Sequence, residues 1–138
     1  MSIDRVFVIG AGLMGHGIAQ VSAAAGKQVT LSDRSADLAD KGKARVAGNL
    51  ARQVEKAKVE QATADEIVGR IATAQGPDAA AGHDIVIEAV FEDEAVKRET
   101  WQALTTSADA DAIFASNTSS ISTYIEANES KPISSRRP

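Results

Sequence analysis

The 138-residue chain contains no cysteine, and only 4 % of its residues are aromatic. The absence of cysteine excludes a disulfide framework, a thiol nucleophile and a cysteine-based metal site. Because aromatic residues are so few, the core is expected to consist mainly of Ala, Val and Ile. No apolar run approaches the roughly 20 residues of a membrane span, and Asp4 and Arg5 interrupt the N-terminus. We therefore expect no membrane span, no signal peptide and a cytoplasmic location.

The chain also lacks the charge pattern and the residue clusters of several functional classes. Its net charge is −4 and it has no long basic stripe, so we expect no nucleic-acid partner. No cluster of His, Asp and Glu has metal-ligand spacing, and no Ser lies in a nucleophile elbow. The two histidines, His16 and His83, are expected to be structural or at the surface. The length favours one domain.

The N-terminal segment carries a glycine motif directly after an apolar run. Residues 6–9 read VFVI, and Gly10-x-Gly12-x-x-Gly15 follows. This pattern predicts a strand, a tight turn and a helix that together bind the pyrophosphate of a dinucleotide. Gly10 permits the turn, Gly12 lets phosphates approach the backbone, and Gly15 lets the helix pack close to the strand.

An acidic residue follows the second predicted strand at the spacing that this motif requires. Asp33 lies 23 residues after Gly10, where a carboxylate can accept hydrogen bonds from the adenosine ribose and repel a 2′-phosphate. The pattern therefore favours NAD over NADP. Arg34 weakens the distinction because an arginine there can pair with a 2′-phosphate. A helix-capping or turn-capping role for Asp33 is the alternative.

Apolar runs alternate with helical patterns along the chain. Ser35 is a plausible cap for the second helix, and Thr63 with Glu66 fits a capping box that opens the third. The near-continuous apolar strands predict an α/β fold, a doubly wound, mostly parallel sheet of the Rossmann type with helices on both faces. The predicted strands cover residues 3–9, 28–33, 71–74, 84–90 and 112–116. The predicted helices cover residues 13–25, 36–58, 63–69 and 94–107, and a further one begins at 121.

Ligands of such sheets bind outside the carboxyl ends of the strands, and three segments lie there. The first is the glycine loop. The second contains Glu92, with Lys97 one turn further on, and the third contains Asn117 and Ser119. Their polar groups could meet a ligand. Alternatively, Glu92 and Lys97 are solvated helix residues, and Ser119 caps the helix that follows.

Four segments together resemble the N-terminal NAD-binding domain of the 3-hydroxyacyl-CoA dehydrogenases. They are residues 8–19 (VIGAGLMGHGIA), 29–33 (VTLSD), 86–97 (VIEAV with Glu92 and Lys97) and 115–120 (ASNTSS). The order and spacing hold over about residues 3–128. The resemblance implies NAD as cofactor and the oxidation of an L-3-hydroxyacyl-CoA to the 3-ketoacyl-CoA in fatty-acid β-oxidation.

The same resemblance implies a role for each matching residue. Ser119 would hydrogen-bond the reacting oxygen of the substrate, as the one catalytic residue of the set. Asn117 would lie near the nicotinamide. The other expected cofactor-binding residues are Gly10, Gly12, Leu13, Met14, Gly15, Asp33, Glu92 and Lys97.

The chain departs from the family after the S-N-T-S-S segment. The family's general base is a histidine in an H-F-F-N-P segment some 20 residues further on, with a Glu partner beyond it, and neither occurs here. The resemblance also implies a C-terminal helical domain that forms the homodimer, and we expect this domain to be missing from the 138 residues. We therefore expect an NAD-binding domain over 1–128, a divergent, mobile tail over 129–138, and a truncated chain that is inactive or nearly so alone.

Two other functions stay open. One is a dehydrogenase of a small 3-hydroxy acid, which shares a similar glycine loop. Asp33, the helical excursion over 36–70 and the S-N-T-S-S segment argue against it. The other is a non-catalytic nucleotide-binding module or a gene remnant.

Overall fold

The computed structural model of the protein describes residues 3–89, 94–109 and 111–116. Strands and helices alternate along the chain, as the sequence predicts. The strands are Arg5–Ile9 (β1), Gln28–Asp33 (β2), Ile71–Gln75 (β3), Ile85–Glu88 (β4) and Ile113–Ser116 (β5). The helices are Leu13–Ala24 (α1), Ala36–Glu55 (α2), Gln61–Gly69 (α3) and Glu94–Ser107 (α4), and Pro77–Ala80 form a 3₁₀ turn.

The five strands form one sheet in the order β3-β2-β1-β4-β5, and every pairing between neighbours is parallel. The chain leaves β1 towards β2 on one side and later returns to β4 on the other. The carboxyl ends of β1 and β4 therefore flank the point where the strand order reverses, which is where open α/β sheets bind ligands.

Each face of the sheet has its own apolar core, because alternate residues of a strand point to opposite faces. On one face, Val6 and Val8 of β1 pack with residues of α1, α2 and α3. On the other face, Phe7 and Ile9 pack with residues of α4 and the 3₁₀ turn. This arrangement confirms a doubly wound sheet with helices on both faces.

Two predicted helix boundaries differ from the structure by more than one residue, and local backbone hydrogen bonds explain why. α2 ends at Glu55 rather than 58 because Ala57 adopts a left-handed φ of 57°, and Lys58 N–H donates to the Gln53 carbonyl. α3 begins at Gln61 rather than at a Thr63 capping box, because the Glu60 carbonyl already accepts the first helical N–H.

The predicted cap of α2 is confirmed. Ser35 has an extended backbone, and its side chain accepts a hydrogen bond from the Leu38 N–H at 3.2 Å. This fixes the start of α2 just after β2, beside the glycine loop. Within the described ranges, no helix combines the length and the apolar character needed to cross a membrane.

Candidate functional site

The turn after β1 depends on a backbone conformation that glycine adopts most readily. Gly10 has a φ of 105°, and its N–H donates to the Ser32 carbonyl at 2.8 Å. The bond joins the glycine loop to the end of β2. It also turns the chain sharply, so that α1 starts only four residues after β1 ends.

Gly15 is needed because α1 lies against the loop that precedes it. A Cβ built at Gly15 would lie 1.5 Å from the Gly10 carbonyl oxygen and 2.7 Å from its carbon. No side chain fits at this position. The protein itself therefore explains the first and the third glycine of the motif.

The middle glycine has no such explanation from the described residues. Gly12 has an ordinary φ of −72°, and a Cβ built there would meet nothing within 4 Å. Any residue could adopt this backbone conformation. A ligand that must approach the backbone of residue 12 closely would explain why this position is a glycine.

The N-terminus of α1 is suited to an anion. Its first N–H groups have no acceptor within the helix, and no side chain among residues 3–89, 94–109 and 111–116 caps them. The first turn of the helix holds no acidic residue. α2, by contrast, has the Ser35 cap and Asp37 in its first turn. Leu13 and Met14 are 80 % and 55 % exposed at this end of α1, so both are accessible to a ligand on the loop.

Asp33 ends β2 and is bonded to the glycine loop. One carboxylate oxygen accepts the Ala11 N–H at 2.7 Å, and the other accepts the Arg34 N–H at 2.7 Å. The side chain is half-buried, and each oxygen keeps a further lone pair. The carboxylate is therefore held in one orientation beside the loop while it remains able to accept hydrogen bonds from a ligand.

Two residues that the sequence analysis did not single out hold this edge together. Ser32 is fully buried, and its hydroxyl donates to the Gly76 carbonyl at 2.6 Å. Gly42 of α2 lies against Ala11, so closely that a Cβ at Gly42 would be 2.7 Å from the Ala11 Cβ. In the sequence, Gly42 could have been found because it takes the place of a large apolar residue in the stripe of α2, midway between Leu38 and Val46. Ser32 left no signal beyond a polar residue within a strand.

Both histidines are held by the backbone. His16 is 7 % exposed, and its Nδ1 donates to the Gly12 carbonyl at 2.8 Å. The Nδ1 of His83 lies 3.1 Å from the Ala80 carbonyl, and its Nε2 lies 2.9 Å from the Thr30 hydroxyl. His83 precedes β4 at the amino edge of the sheet, opposite the glycine loop. Neither imidazole is placed as a general base at the carboxyl edge.

The β4 side of the site is described only as far as Ala89. Glu88, the last residue of β4, is fully buried between Ile9 and Ser116 in the strand register. The predicted site residues Glu92, Asn117 and Ser119, and the side chain of Lys97, lie outside the described residues. No group of His, Asp or Glu that could hold a metal ion occurs within the described ranges.

A glycine turn at the switch point, an accessible helix N-terminus and a carboxylate at the end of the next strand define a dinucleotide-binding domain of the Rossmann type. The family model described as "3-hydroxyacyl-CoA dehydrogenase, NAD binding domain" matches residues 5–131. The chain belongs to this family, and NAD is the cofactor of its domain.

The relatives agree with this assignment. A 3-hydroxybutyryl-CoA dehydrogenase of Bradyrhizobium diazoefficiens is 48 % identical over 120 residues, which are 87 % of this chain and 41 % of the relative. The human mitochondrial hydroxyacyl-coenzyme A dehydrogenase is 41 % identical over 86 % of this chain and 40 % of its own length. The crystal structure of FadB2 from M. tuberculosis superposes with a TM-score of 0.85 at 41 % identity, covering 92 % of this chain and 46 % of that one. The chain thus spans about two fifths of the length of these curated relatives.

Proposed function

We propose that NAD(H) binds at the carboxyl edge of β1 and β2, with its pyrophosphate on Gly10, Gly12 and Gly15 and its adenosine ribose on Asp33. Leu13 and Met14 would contact the cofactor at the start of α1. The observation that carries this proposal is Gly12. Its glycine is required neither by its φ of −72° nor by any atom of the described residues within 4 Å of a Cβ.

Asp33 is the basis for proposing NAD rather than NADP. Its carboxylate is fixed by the Ala11 and Arg34 N–H groups, so a 2′-phosphate at the ribose would meet a negative charge that cannot turn away. The backbone of Arg34 supplies one of these bonds, and its side chain is exposed. We therefore expect NADPH to bind at least tenfold more weakly than NADH.

The resemblance supplies the rest of the proposed site. Glu92 and Lys97 would line the cofactor, Asn117 would lie near the nicotinamide, and Ser119 would donate a hydrogen bond to the reacting substrate oxygen. NAD supplies the hydride acceptor when bound. The proposed reaction is the oxidation of an L-3-hydroxyacyl-CoA to the 3-ketoacyl-CoA, as in fatty-acid β-oxidation.

We also propose that the 138 residues alone turn over an acyl-CoA substrate negligibly. Removal of a hydride from a carbinol requires a base for the hydroxyl proton. The chain has two histidines, and both are bound to backbone carbonyls, His16 beneath the loop and His83 at the opposite edge. The domain would extend to about residue 128, and in the relatives' longer chains further residues would complete the site and the homodimer.

The proposal includes a cytoplasmic location, which fractionation of the source cell would test. It also includes an acyl-CoA substrate. A test of this substrate requires a longer form of the protein. Oxidation of 3-hydroxybutyryl-CoA by such a form, without oxidation of free 3-hydroxy acids, is the expected result. The reverse preference would favour a dehydrogenase of small hydroxy acids.

Two alanine substitutions test the binding proposal, one at the N-cap of α1 beside the expected phosphates and one further along the same helix. Among the described residues, no atom lies within 4 Å of a Cβ built at Gly12 or Gly17, so both positions have room for the methyl group of alanine. Gly12→Ala places a methyl group in the path of the pyrophosphate and should weaken NADH at least tenfold. Gly17→Ala should leave the NADH affinity within twofold of the parent.

Nicotinamide fluorescence measures the affinity, and urea unfolding verifies the fold. Gly12→Ala should unfold at the parent's urea midpoint. Equal NADH affinity of Gly12→Ala and the parent would contradict the proposed position of the pyrophosphate. A parent chain that binds neither NADH nor NADPH would refute the proposed function.

A further inference from the structure

α2 packs closely against the glycine loop at Gly42. Gly42 lies in the interior of α2 and is buried, although glycine is less favourable than alanine inside a helix. A Cβ built there would lie 2.7 Å from the Ala11 Cβ, 2.8 Å from the Ala11 carbonyl oxygen and 3.0 Å from Leu31. Glycine alone permits this approach.

The residue that Gly42 contacts is the one that holds the ribose carboxylate. Ala11 lies between the first two glycines of the loop and is 3 % exposed. Its N–H donates to the Asp33 carboxylate at 2.7 Å. A group that displaces Ala11 by more than a few tenths of an ångström must therefore lengthen or break this bond.

We infer that Gly42 is a positioning residue for the cofactor: it lets α2 seat Ala11 so that the Ala11 N–H holds the Asp33 carboxylate at the ribose position. The ribose part of this inference rests on the proposed function. The contact between Gly42 and Ala11 and the bond to Asp33 do not.

Another glycine of α2 provides a matched control. Gly48 is half-buried, and the nearest atom to its built Cβ is the flexible end of Arg52 at 3.9 Å. Gly42→Ala and Gly48→Ala thus make the same change in the same helix. Only Gly42→Ala presses on the loop.

The first measurement needs no ligand. In the amide NMR spectrum of the parent, the Ala11 N–H should resonate downfield and exchange slowly, because it donates to a carboxylate at 2.7 Å. Gly42→Ala should move this resonance upfield and speed its exchange at least tenfold. Gly48→Ala should leave it unchanged. An unchanged Ala11 amide in a folded Gly42→Ala chain would overturn the inference.

The second measurement concerns the cofactor. Gly42→Ala should weaken NADH at least tenfold and reduce the preference for NADH over NADPH at least fivefold, because the carboxylate is no longer held at the ribose. Gly48→Ala should stay within twofold in both. A Gly42→Ala chain with the parent's affinity and preference would refute the ribose role. A parent that binds no NADH would refute the proposed function and the ribose role. The chemical shift and exchange rate of the Ala11 N–H would still decide whether Gly42 positions the Asp33 carboxylate.

A double variant covers the case in which Gly42→Ala does not fold. Combining it with Ala11→Gly removes the methyl group that the new Cβ would strike. Only the carbonyl contact at 2.8 Å and the flexible Leu31 then have to adjust. The double variant should fold, with NADH affinity closer to the parent than that of Gly42→Ala. If it is no better folded and binds no better than Gly42→Ala, contact with the Ala11 methyl group is not the cause and the inference fails.

Discussion

Gly15→Ala should be the most damaging small change at the carboxyl edge. The new Cβ would lie 1.5 Å from the Gly10 carbonyl oxygen, whereas real Cβ atoms keep at least 3.0 Å. The loop and α1 must therefore separate by about 1.5 Å. The Gly10 carbonyl belongs to the backbone and a Cβ is fixed to it, so no side-chain rotation relieves the contact.

The energetic cost follows from the bonds that this separation breaks. The Gly10 N–H donates to Ser32 at 2.8 Å, and the Ala11 N–H donates to the Asp33 carboxylate at 2.7 Å. A neutral hydrogen bond contributes about 0.5–1.5 kcal/mol and one to a charged group about 1.5–3 kcal/mol. Loss of both should lower the free energy of unfolding by about 2–4.5 kcal/mol, a large part of the roughly 5–15 kcal/mol typical of a domain.

Urea unfolding followed by far-ultraviolet circular dichroism measures this loss. Gly17→Ala in the same helix is the control, because no atom of the part of the chain that the structure describes lies within 4 Å of a Cβ built there. Gly15→Ala should have a clearly lower urea midpoint and no measurable NADH affinity. Gly17→Ala should be no less stable than the parent. A Gly15→Ala chain with the parent's midpoint and NADH affinity would refute the reasoning.

Two further predictions concern bonds at opposite edges of the sheet. Ser32→Ala leaves the Gly76 carbonyl without the hydroxyl that donates to it at 2.6 Å, so the free energy of unfolding in urea should fall by about 1–3 kcal/mol; an unchanged value would show that this bond is not needed. The N–H groups of Asp4 and Arg5 hold the pKa of Asp84 below its usual range. Its carboxylate therefore stabilises the fold above the unfolded pKa of about 4, and this contribution is lost as the pH falls through the lower folded pKa. Stability measured from pH 6 to pH 2 should fall less in Asp84→Asn than in the parent, and equal pH dependence would contradict the assignment.

The alternation of apolar strands and helical stripes was sufficient to predict the sheet and the helices on its two faces. Such patterns report which residues are buried, and burial is what the layered fold requires. Helix ends were harder to predict. The end of α2 depends on the left-handed φ of 57° at Ala57. Alanine seldom adopts this conformation, so the residue type does not predict it.

The candidate site was predictable where a backbone requirement restricts the residue type. Gly10 and Gly15 are of this kind, since one needs a positive φ and the other has no room for a Cβ. Ser32 and Gly42 act through contacts between distant segments. Ser32 bonds to Gly76, 44 residues away, and Gly42 packs on Ala11. Such contacts appear only once the chain is folded.

Amide chemical-shift mapping with NADH tests most directly whether the cofactor binds at the carboxyl edge of β1 and β2. The account predicts saturable shifts at residues 10–15, at Asp33 and at Ala89, with little change at His83 and the other residues of the opposite edge. NADPH at the same concentrations should cause much smaller shifts. Saturable shifts centred on the opposite edge, or none with either nucleotide, would contradict the account.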